Sequence, residues 1–386
     1  MAEFKTIRQL CSLVIDCPHS SPTWTDNGKI VVRNNNIKNG RIDLSSPSFT
    51  DEEHYKQRIK RATPKPGDII ITREAPMGDV GMIPEGVECC LGQRMVLLRP
   101  DENLCDKYFL LYSLQSRFVQ HQISWSNGTG TTVSNLRIPH LEQIKIPIVP
   151  IFKQKQVASV LRAIEERIVN NGQINDNLHQ QAQALFSHFY ERATNCITFT
   201  SIIQVLGGGT PKTSEPTYWN GRIPFFTPKD VGCPYTLMTE KTITEDGLNH
   251  CNSRLYPVNT VFVTARGTVG KVGLSGYPMA MNQSCYALVG NGIDQLLVYF
   301  YTLETVNALK HKASGAVFDA ITTKDFSSEN VMQLSESDAC IFLSIASPLF
   351  ATILSNCLEN QRLVSLRDTL LPKLMSGEID VSNIQL

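Results

Sequence analysis

The chain repeats itself once. Residues 68–81 read DIIITREAPMGDVG and residues 260–273 read TVFVTARGTVGKVG, so that Thr72, Gly78, Val80 and Gly81 align without a gap onto Thr264, Gly270, Val272 and Gly273. Upstream, Gly28-Lys29-Ile30 matches Gly221-Arg222-Ile223, and Phe4-x-x-Ile7 matches Phe199-x-x-Ile202. Downstream, Asn171, Asn175, Leu178 and Leu185 match Asn356, Asn360, Leu363 and Leu370. A period this long is no solenoid, whose units run to about 20–50 residues. It predicts a duplicated domain, each copy followed by its own helix, which makes a pseudo-dimer within one chain.

Each half divides into a mixed part and a helical part. In the mixed parts, short β-rich runs at residues 69–71, 95–98, 261–263 and 286–289 are punctuated by Gly, Pro and Asn. One amphipathic helix per half is expected, near residues 108–122 and 296–311. The helical parts carry apolar residues at helical spacing. A seam of alternating three- and four-residue steps reads Ile168, Asn171, Asn175, Leu178, Ala182, Leu185 and Phe189. It recurs as Ile353, Asn356, Asn360, Leu363, Arg367, Leu370 and Leu374. The expected fold class is α+β: two similar mixed α/β domains (1–150 and 194–335) and two long helical spacers (151–193 and 336–386), the spacers pairing as an antiparallel coiled coil. Asn171, Asn175, Asn356 and Asn360 either set the register of that coil, since a buried Asn is satisfied only opposite a polar partner, or lie in solvent. Arg367 breaks the apolar seam where the first copy has Ala182, and a wetter end of the coil would accommodate it.

A helix of about 40 residues is about 60 Å long, and paired DNA readers sit about one 34 Å turn apart. Two unlike domains on a stiff spacer are therefore built to read two separated and different DNA segments. The alternative is a coiled-coil scaffold that joins proteins and reads no nucleic acid. Charge does not decide between them. With 36 basic and 36 acidic residues the chain is neutral, and a local basic face can still exist on a neutral protein.

The candidate DNA contacts are polar or basic residues in loops beside glycine. In the first half these are Arg33, Asn34, Asn36, Lys38, Lys60, Arg61 and Arg73; a dense basic run also takes in Lys56, Arg58 and Lys65. In the second half they are Lys229, Thr264, Arg266, Thr268 and Lys271. Arg donors suit guanine O6 and N7, and nearby Lys suits phosphate. Met77, Trp24, Trp125 and Trp219 either stack on bases or pack in the core, the core being the ordinary place for such rings.

Signs of catalysis are absent. Residues 207–213, GGGTPKT, lack the spacing of a phosphate-binding P-loop. Their glycines suggest a turn that lets backbone approach something closely. No amino-methyltransferase motif and no nucleophile triad is evident. The 11 cysteines are scattered with no CxxC, which suits reduced thiols of a cytoplasmic protein more than a zinc site. The first ten residues, MAEFKTIRQL, do not resemble a signal peptide. No unbroken apolar run of about 18 residues suggests a membrane span.

Several longer segments resemble the specificity subunit of type I restriction–modification enzymes. Residues 128–147, GTGTTVSNLRIPHLEQIKIP, are similar to the boundary that closes a target recognition domain in that family, and residues 370–379, LLPKLMSGEI, to the ending of many members. Residues 207–214 with Tyr218, Trp219, Gly221 and residues 223–231 (IPFFTPKDV) resemble the start of such a domain, as does Thr-x-Arg-Gly-x-x-Gly at 264–270. The first half departs from the pattern, reading LVIDCPHSS at 13–21 and placing Arg73 one position before Arg266 in the alignment. The second half has Gly315-Ala-Val-Phe-Asp-Ala-Ile321 in place of the GTTV boundary. The resemblance implies a non-catalytic subunit that reads an asymmetric bipartite site on double-stranded DNA. It also implies docking to two modification (methyltransferase) subunits and to restriction (helicase–nuclease) subunits. No cofactor is then expected in this chain; S-adenosylmethionine, ATP and Mg would sit on the partners.

Overall fold

In a computed structural model of the chain, the structure describes residues 3–38, 40–125, 135–232, 234–312, 320–375 and 377–379. The chain forms two compact units. The first comprises residues 1–167 and 363–386, the second residues 168–362. Each takes one mixed domain and a stretch of both long helices, Ile151–Tyr190 and Glu336–Met375, each of 40 residues.

The mixed domain of the first unit is built on an antiparallel sheet of four strands, in the order Cys11–Asp16, Met95–Pro100, Ile69–Thr72 and Val80–Met82. A second sheet runs Ser48–Thr50, Lys29–Val32, Cys89–Leu91, its last pairing parallel. Glu3–Thr6 pairs with Lys145–Ile148 where the domain meets the first long helix. The second unit repeats all three arrangements. Its main sheet runs Ile203–Gly207, Cys285–Gly290, Val261–Thr264, Val272–Ser275, with a fifth short strand, Tyr235–Thr236, added in parallel. The sequences explain the central strands: Ile69–Ile71 and Val261–Val263 are β-branched or aromatic runs buried on both faces.

The same backbone device closes the loop after the central strand in both units. In the first, Gly78 N–H donates to the Thr72 carbonyl and Asp79 N–H to Thr72 Oγ1, both at 2.9 Å. In the second, Gly270 N–H donates to the Thr264 carbonyl (2.8 Å) and Lys271 N–H to Thr264 Oγ1 (2.9 Å). Gly78 and Gly270 have φ of +92° and +73°, a region that disfavours any Cβ. The repeated Thr and Gly are thus explained by backbone geometry alone.

Two of the sequence matches are out of register. Thr6 and Thr198 precede equivalent short helices, Ile7–Leu10 and Phe199–Ile202, and Ile7 N–H and Phe199 N–H make equivalent bonds to the carbonyls of Ile144 and Glu329. Ile7 therefore corresponds to Phe199, and the match of Phe4 to Phe199 is a three-residue slip. Phe4 lies in a strand and is 48% exposed, whereas Phe199 is fully buried. Likewise Val32 and Phe226 hold the same place, opposite Leu91 and Met281, so Gly28-Lys29-Ile30 is displaced by one from its counterpart.

The expected domain helices differ between copies. In the first unit the segment breaks at Ser116 into Lys107–Gln115 and Arg117–Ser124, with the Ser116 hydroxyl accepting from Val119 N–H. In the second it is one helix, Gln295–Lys312, buried through most of its first ten residues and so less amphipathic than expected.

The long helices pack antiparallel within each unit. In the first, Val157, Ala158 and Leu161 share a core with Leu374 and Met375. In the second, Ala182 and Phe186 share a core with Phe342, Ala346, Phe350 and Ile353. The seam asparagines meet in the second unit. Asn171 Nδ2 donates to Asn360 Oδ1 (2.9 Å) and Glu359 Oε2 (2.7 Å), Asn356 Nδ2 to Asn175 Oδ1 (2.8 Å), and Asn360 Nδ2 to the Ile168 carbonyl (3.2 Å). Asn171 and Asn175 are buried, so solvent exposure is not how they are satisfied. Arg367 is not at a wet end of the coil. It faces Glu165 at 3.6 Å in the first unit, where Tyr112 Oη donates to the same carboxylate at 3.2 Å and Arg41 lies 3.9 Å away.

The helix Glu336–Met375 does include a stretch long and apolar enough to cross a membrane by length and composition, although the sequence has no unbroken apolar run there. Phe342, Ala346, Phe350 and Ile353 on that stretch are core residues of the second unit, while Ile341 and Ile345 beside them are 48% and 47% exposed and only 22% of the stretch is buried.

Candidate nucleic-acid interface

Each unit carries a cleft at the same place in the repeat. The first, of about 440 Å³, is lined by Trp24, Arg33, Asn34, Asn35, Gln93 and Arg94 together with Ser21, Pro22, Ala75 and Gly92. The second, of about 490 Å³, is lined by Lys229, Lys241, Arg266, Thr268, Asn282 and Glu240, with Thr227, Pro228, Gly267 and Ser284.

Three loops frame both clefts through equivalent hydrogen bonds. In the loop after the second-sheet central strand, Arg33 N–H donates to Asn36 Oδ1 (2.9 Å) and Asn36 N–H to the Arg33 carbonyl. At the equivalent place Thr227 N–H donates to Asp230 Oδ2 (2.8 Å) and Asp230 N–H to the Thr227 carbonyl. In the loop leading into the next main-sheet strand, Gly92 N–H and Asn282 N–H donate to the carbonyls of Val32 and Phe226. The loop after the main-sheet central strand is tied to that one, Arg73 N–H donating to the Arg94 carbonyl and Ala265 N–H to the Ser284 carbonyl, both at 2.8 Å. Residue 136 and residue 321 then bond back to the same loops, Leu136 N–H to the Arg73 carbonyl and Ile321 N–H to the Ala265 carbonyl. The frame is conserved between copies while the lining side chains are not, which is the arrangement of a fixed scaffold carrying variable recognition loops.

The glycine-rich segment at 207–209 belongs to this frame. A Cβ on Gly208 would stand 2.2 Å from the Asn282 carbonyl oxygen, and one on Gly209 2.6 Å from the Asn252 backbone nitrogen. The close approach is to the protein's own backbone, and this accounts for the glycines without a phosphate.

The structure sorts the sequence candidates. Lys229, Arg266 and Thr268 line the second cleft together; Arg33 and Asn34 line the first. Lys229 is 82% exposed, with Glu240 3.9 Å away. Arg33 lies over the Trp24 ring at 5.0 Å. Lys38, paired to Asp43 at 2.9 Å, and Lys60 and Arg61 are exposed but line neither cleft; Lys271 is also exposed outside it. Three candidates are turned inward. Asn36 is buried, donating to the Asp43 carbonyl. Thr264 is fully buried in its loop clasp. Arg73 is folded inside, 3.0 Å from both Asp16 oxygens and from the Leu136 carbonyl. Of the basic run, Arg58 is buried and spends its donors on the carbonyls of Leu91, Ser20 and Pro18. Residues 128–134 and 315–319, two of the resemblance segments, lie outside the described residues.

Among the aromatic candidates the core reading fails for Trp24 and Trp125, which are 48% and 74% exposed. It holds for Met77, packed on the first core, and for Trp219, edge-on to Phe225. Arg94, Gln93, Lys241 and Asn282 also line the clefts, although nothing in their local sequence marks them. Burial pushes the thiols of Cys11, Cys89 and Cys285 up to about 12, so these cysteines stay protonated and unreactive.

The comparisons with known proteins agree with this architecture. The family model described as the type I restriction modification DNA specificity domain matches residues 3–180 and again 196–333. The chain belongs to that family. It is similar to the MjaIX specificity subunit of Methanocaldococcus jannaschii (31% identical, 30% of this chain, 28% of that one). It is similar also to the HindI specificity subunit of Haemophilus influenzae (27%, 46% of this chain, 39% of that one) and to the putative MjaX specificity subunit of M. jannaschii (22%, 78% of this chain, 75% of that one). The match thus spans well under half of the first two relatives. A crystal structure of the type I S subunit from M. genitalium shares the fold, with a TM-score of 0.60 at 19% identity, covering 97% of this chain and 96% of that one.

Proposed function

We propose that the chain recognises an asymmetric, bipartite target on double-stranded DNA, one half-site through each cleft, and docks two modification subunits and, where they exist, restriction subunits. The observation that carries this reading is the repeated cleft: one hydrogen-bonded frame, used twice, with different side chains in each copy. Identical frames place equivalent loops for equivalent work. Different linings make the two half-sites different. The cationic members suit phosphates, and the Arg, Asn, Gln and Thr suit base edges in the major groove. The two 40-residue helices, each about 60 Å long at 1.5 Å per residue, are the natural spacer. Chemistry, with S-adenosylmethionine, ATP and Mg, would belong to the partners.

The test is a map of N6-methyladenine in cells with and without this subunit. A discontinuous two-part motif should be methylated only when the subunit is present. A methylome that does not change on its deletion sinks the reading and leaves the scaffold alternative.

A further inference from the structure

Resting on that reading, we propose that Arg94 is a base-reading residue of the first cleft, held for a guanine edge by a relay of polar side chains behind it. The relay starts at Asp16, whose carboxylate holds Arg73 Nη1 at 3.0 Å. Arg73 Nη2 donates to Asn135 Oδ1 at 3.2 Å. Asn135 Nδ2 donates to Glu74 Oε1 at 2.6 Å, and Glu74 Oε2 stands 3.2 Å from Arg94 Nε. Asn34 Nδ2 pins the Glu74 carbonyl at 2.7 Å. Glu74 is thus held at both carboxylate oxygens and at its carbonyl, which leaves it little freedom to move.

Arg94 itself is constrained twice. Its carbonyl accepts from Arg73 N–H, and its φ is +62°, a left-handed value uncommon for a residue with a Cβ. Despite this its side chain is 57% exposed and lines the cleft. A guanidinium steadied at Nε still presents a planar fork of N–H donors, the shape that matches O6 and N7 of guanine. The same fork can grip a phosphate, which a mobile lysine also binds as a point charge; what favours a base edge here is the fixed direction of the head. Strained backbone and a buttressed head are the investment of a directional contact.

The second cleft reverses the arrangement. The position of Glu74 is taken by Arg266, and that of Arg94 by Ser284. The two units therefore offer their arginine from different loops of the same frame, so the guanine each reads should fall at a different place in its half-site.

The experiment uses the subunit assembled with its modification subunits, on the target found by methylation mapping. R94K keeps the charge and removes the fork; E74Q weakens the buttress. We expect R94K to lose discrimination at one base pair of one half-site by about tenfold or more. The other half-site and the salt dependence of binding should stay as in the wild type. E74Q should act at the same base pair, more weakly. Two results would overturn the assignment. One is R94K reading every base as the wild type does. The other is R94A weakening all sequences alike while the salt slope falls by about one, the signature of a phosphate contact. A wild-type complex with no discontinuous target would instead remove the functional reading, and this role with it.

Discussion

Replacing Phe300 by alanine is expected to destabilise the second unit by about 3–5 kcal/mol. Phe300 is fully buried at the point where the domain helix meets both long helices. Its ring lies 5.2 Å from Phe186, 5.2 Å from Phe342 and 5.5 Å from Phe350. Alanine leaves a cavity walled by aromatic rings, which collapse poorly, and also removes a stacking contact with Phe186 and edge-to-face contacts with Phe342 and Phe350, of about 0.5–1.5 kcal/mol each. The second unit's thermal transition should fall by about 10 °C, given about 2–4 °C per kcal/mol for a unit of this size. Calorimetry of the Phe300→Ala chain reads this directly. A shift of one or two degrees would mean that this aromatic cluster does not hold the helices to the domain.

The second large effect is expected at Arg367. The Glu165 carboxylate beneath it is 8% exposed, and Arg367 is its nearest cation. Removing one partner of a buried pair leaves the other charge without compensation, at about 3–5 kcal/mol when burial is complete. Arg41 remains nearby and Arg367 is partly exposed, so Arg367→Ala should destabilise the first unit by about 2–4 kcal/mol. Replacing both, as in E165L with R367M, should recover only part of the loss: the two apolar side chains need no compensation, but the buried Tyr112 hydroxyl loses its acceptor. The pair also sets a pH dependence. Burial pushes the Glu165 carboxyl above its ordinary 4.5, against the opposing pull of Arg41 and Arg367. A carboxyl with a raised folded-state pKa contributes stability at acid pH that is lost as pH rises through that pKa. Without Arg367 the upward push is less opposed, so the deficit of the Arg367→Ala chain should grow from pH 5 to pH 8 in urea titrations. E165Q should show no such growth. A deficit independent of pH would mean that Glu165 is already neutral or well hydrated.

The fold was legible where it depends on backbone rules. Thr72 and Thr264, with Gly78 and Gly270, align because a loop clasp needs that hydroxyl and that φ, and no tertiary context can replace them. The long helices were legible from seam spacing. The ends of the repeat were not. An apolar pair at i and i+3 looks the same one turn away, and so Phe4 passes for Phe199. The site was legible in part. Arg266 lies in an Arg-Gly loop directly after a strand, and the structure places it in the cleft. Arg73 has nearly the same local sequence, but Asp16, 57 residues earlier, draws it inside. Arg94 sits in an unremarkable Gln-Arg pair; its contact with Glu74 and its left-handed backbone, which distinguish it, are set by tertiary structure. Arg367 looked like a flaw in an apolar seam because its partner, Glu165, sits outside the seam residues read on the other helix.

The central claim is that two equivalent clefts in one chain hold two different DNA segments. Hydroxyl-radical footprinting of the assembled complex, with and without reversal of the second cleft's charge (K229E with R266E), tests it most directly. Two protected segments separated by an open gap are expected, with loss of only one of them in the reversed chain. A single continuous footprint, or protection that is untouched by the reversal, would contradict it.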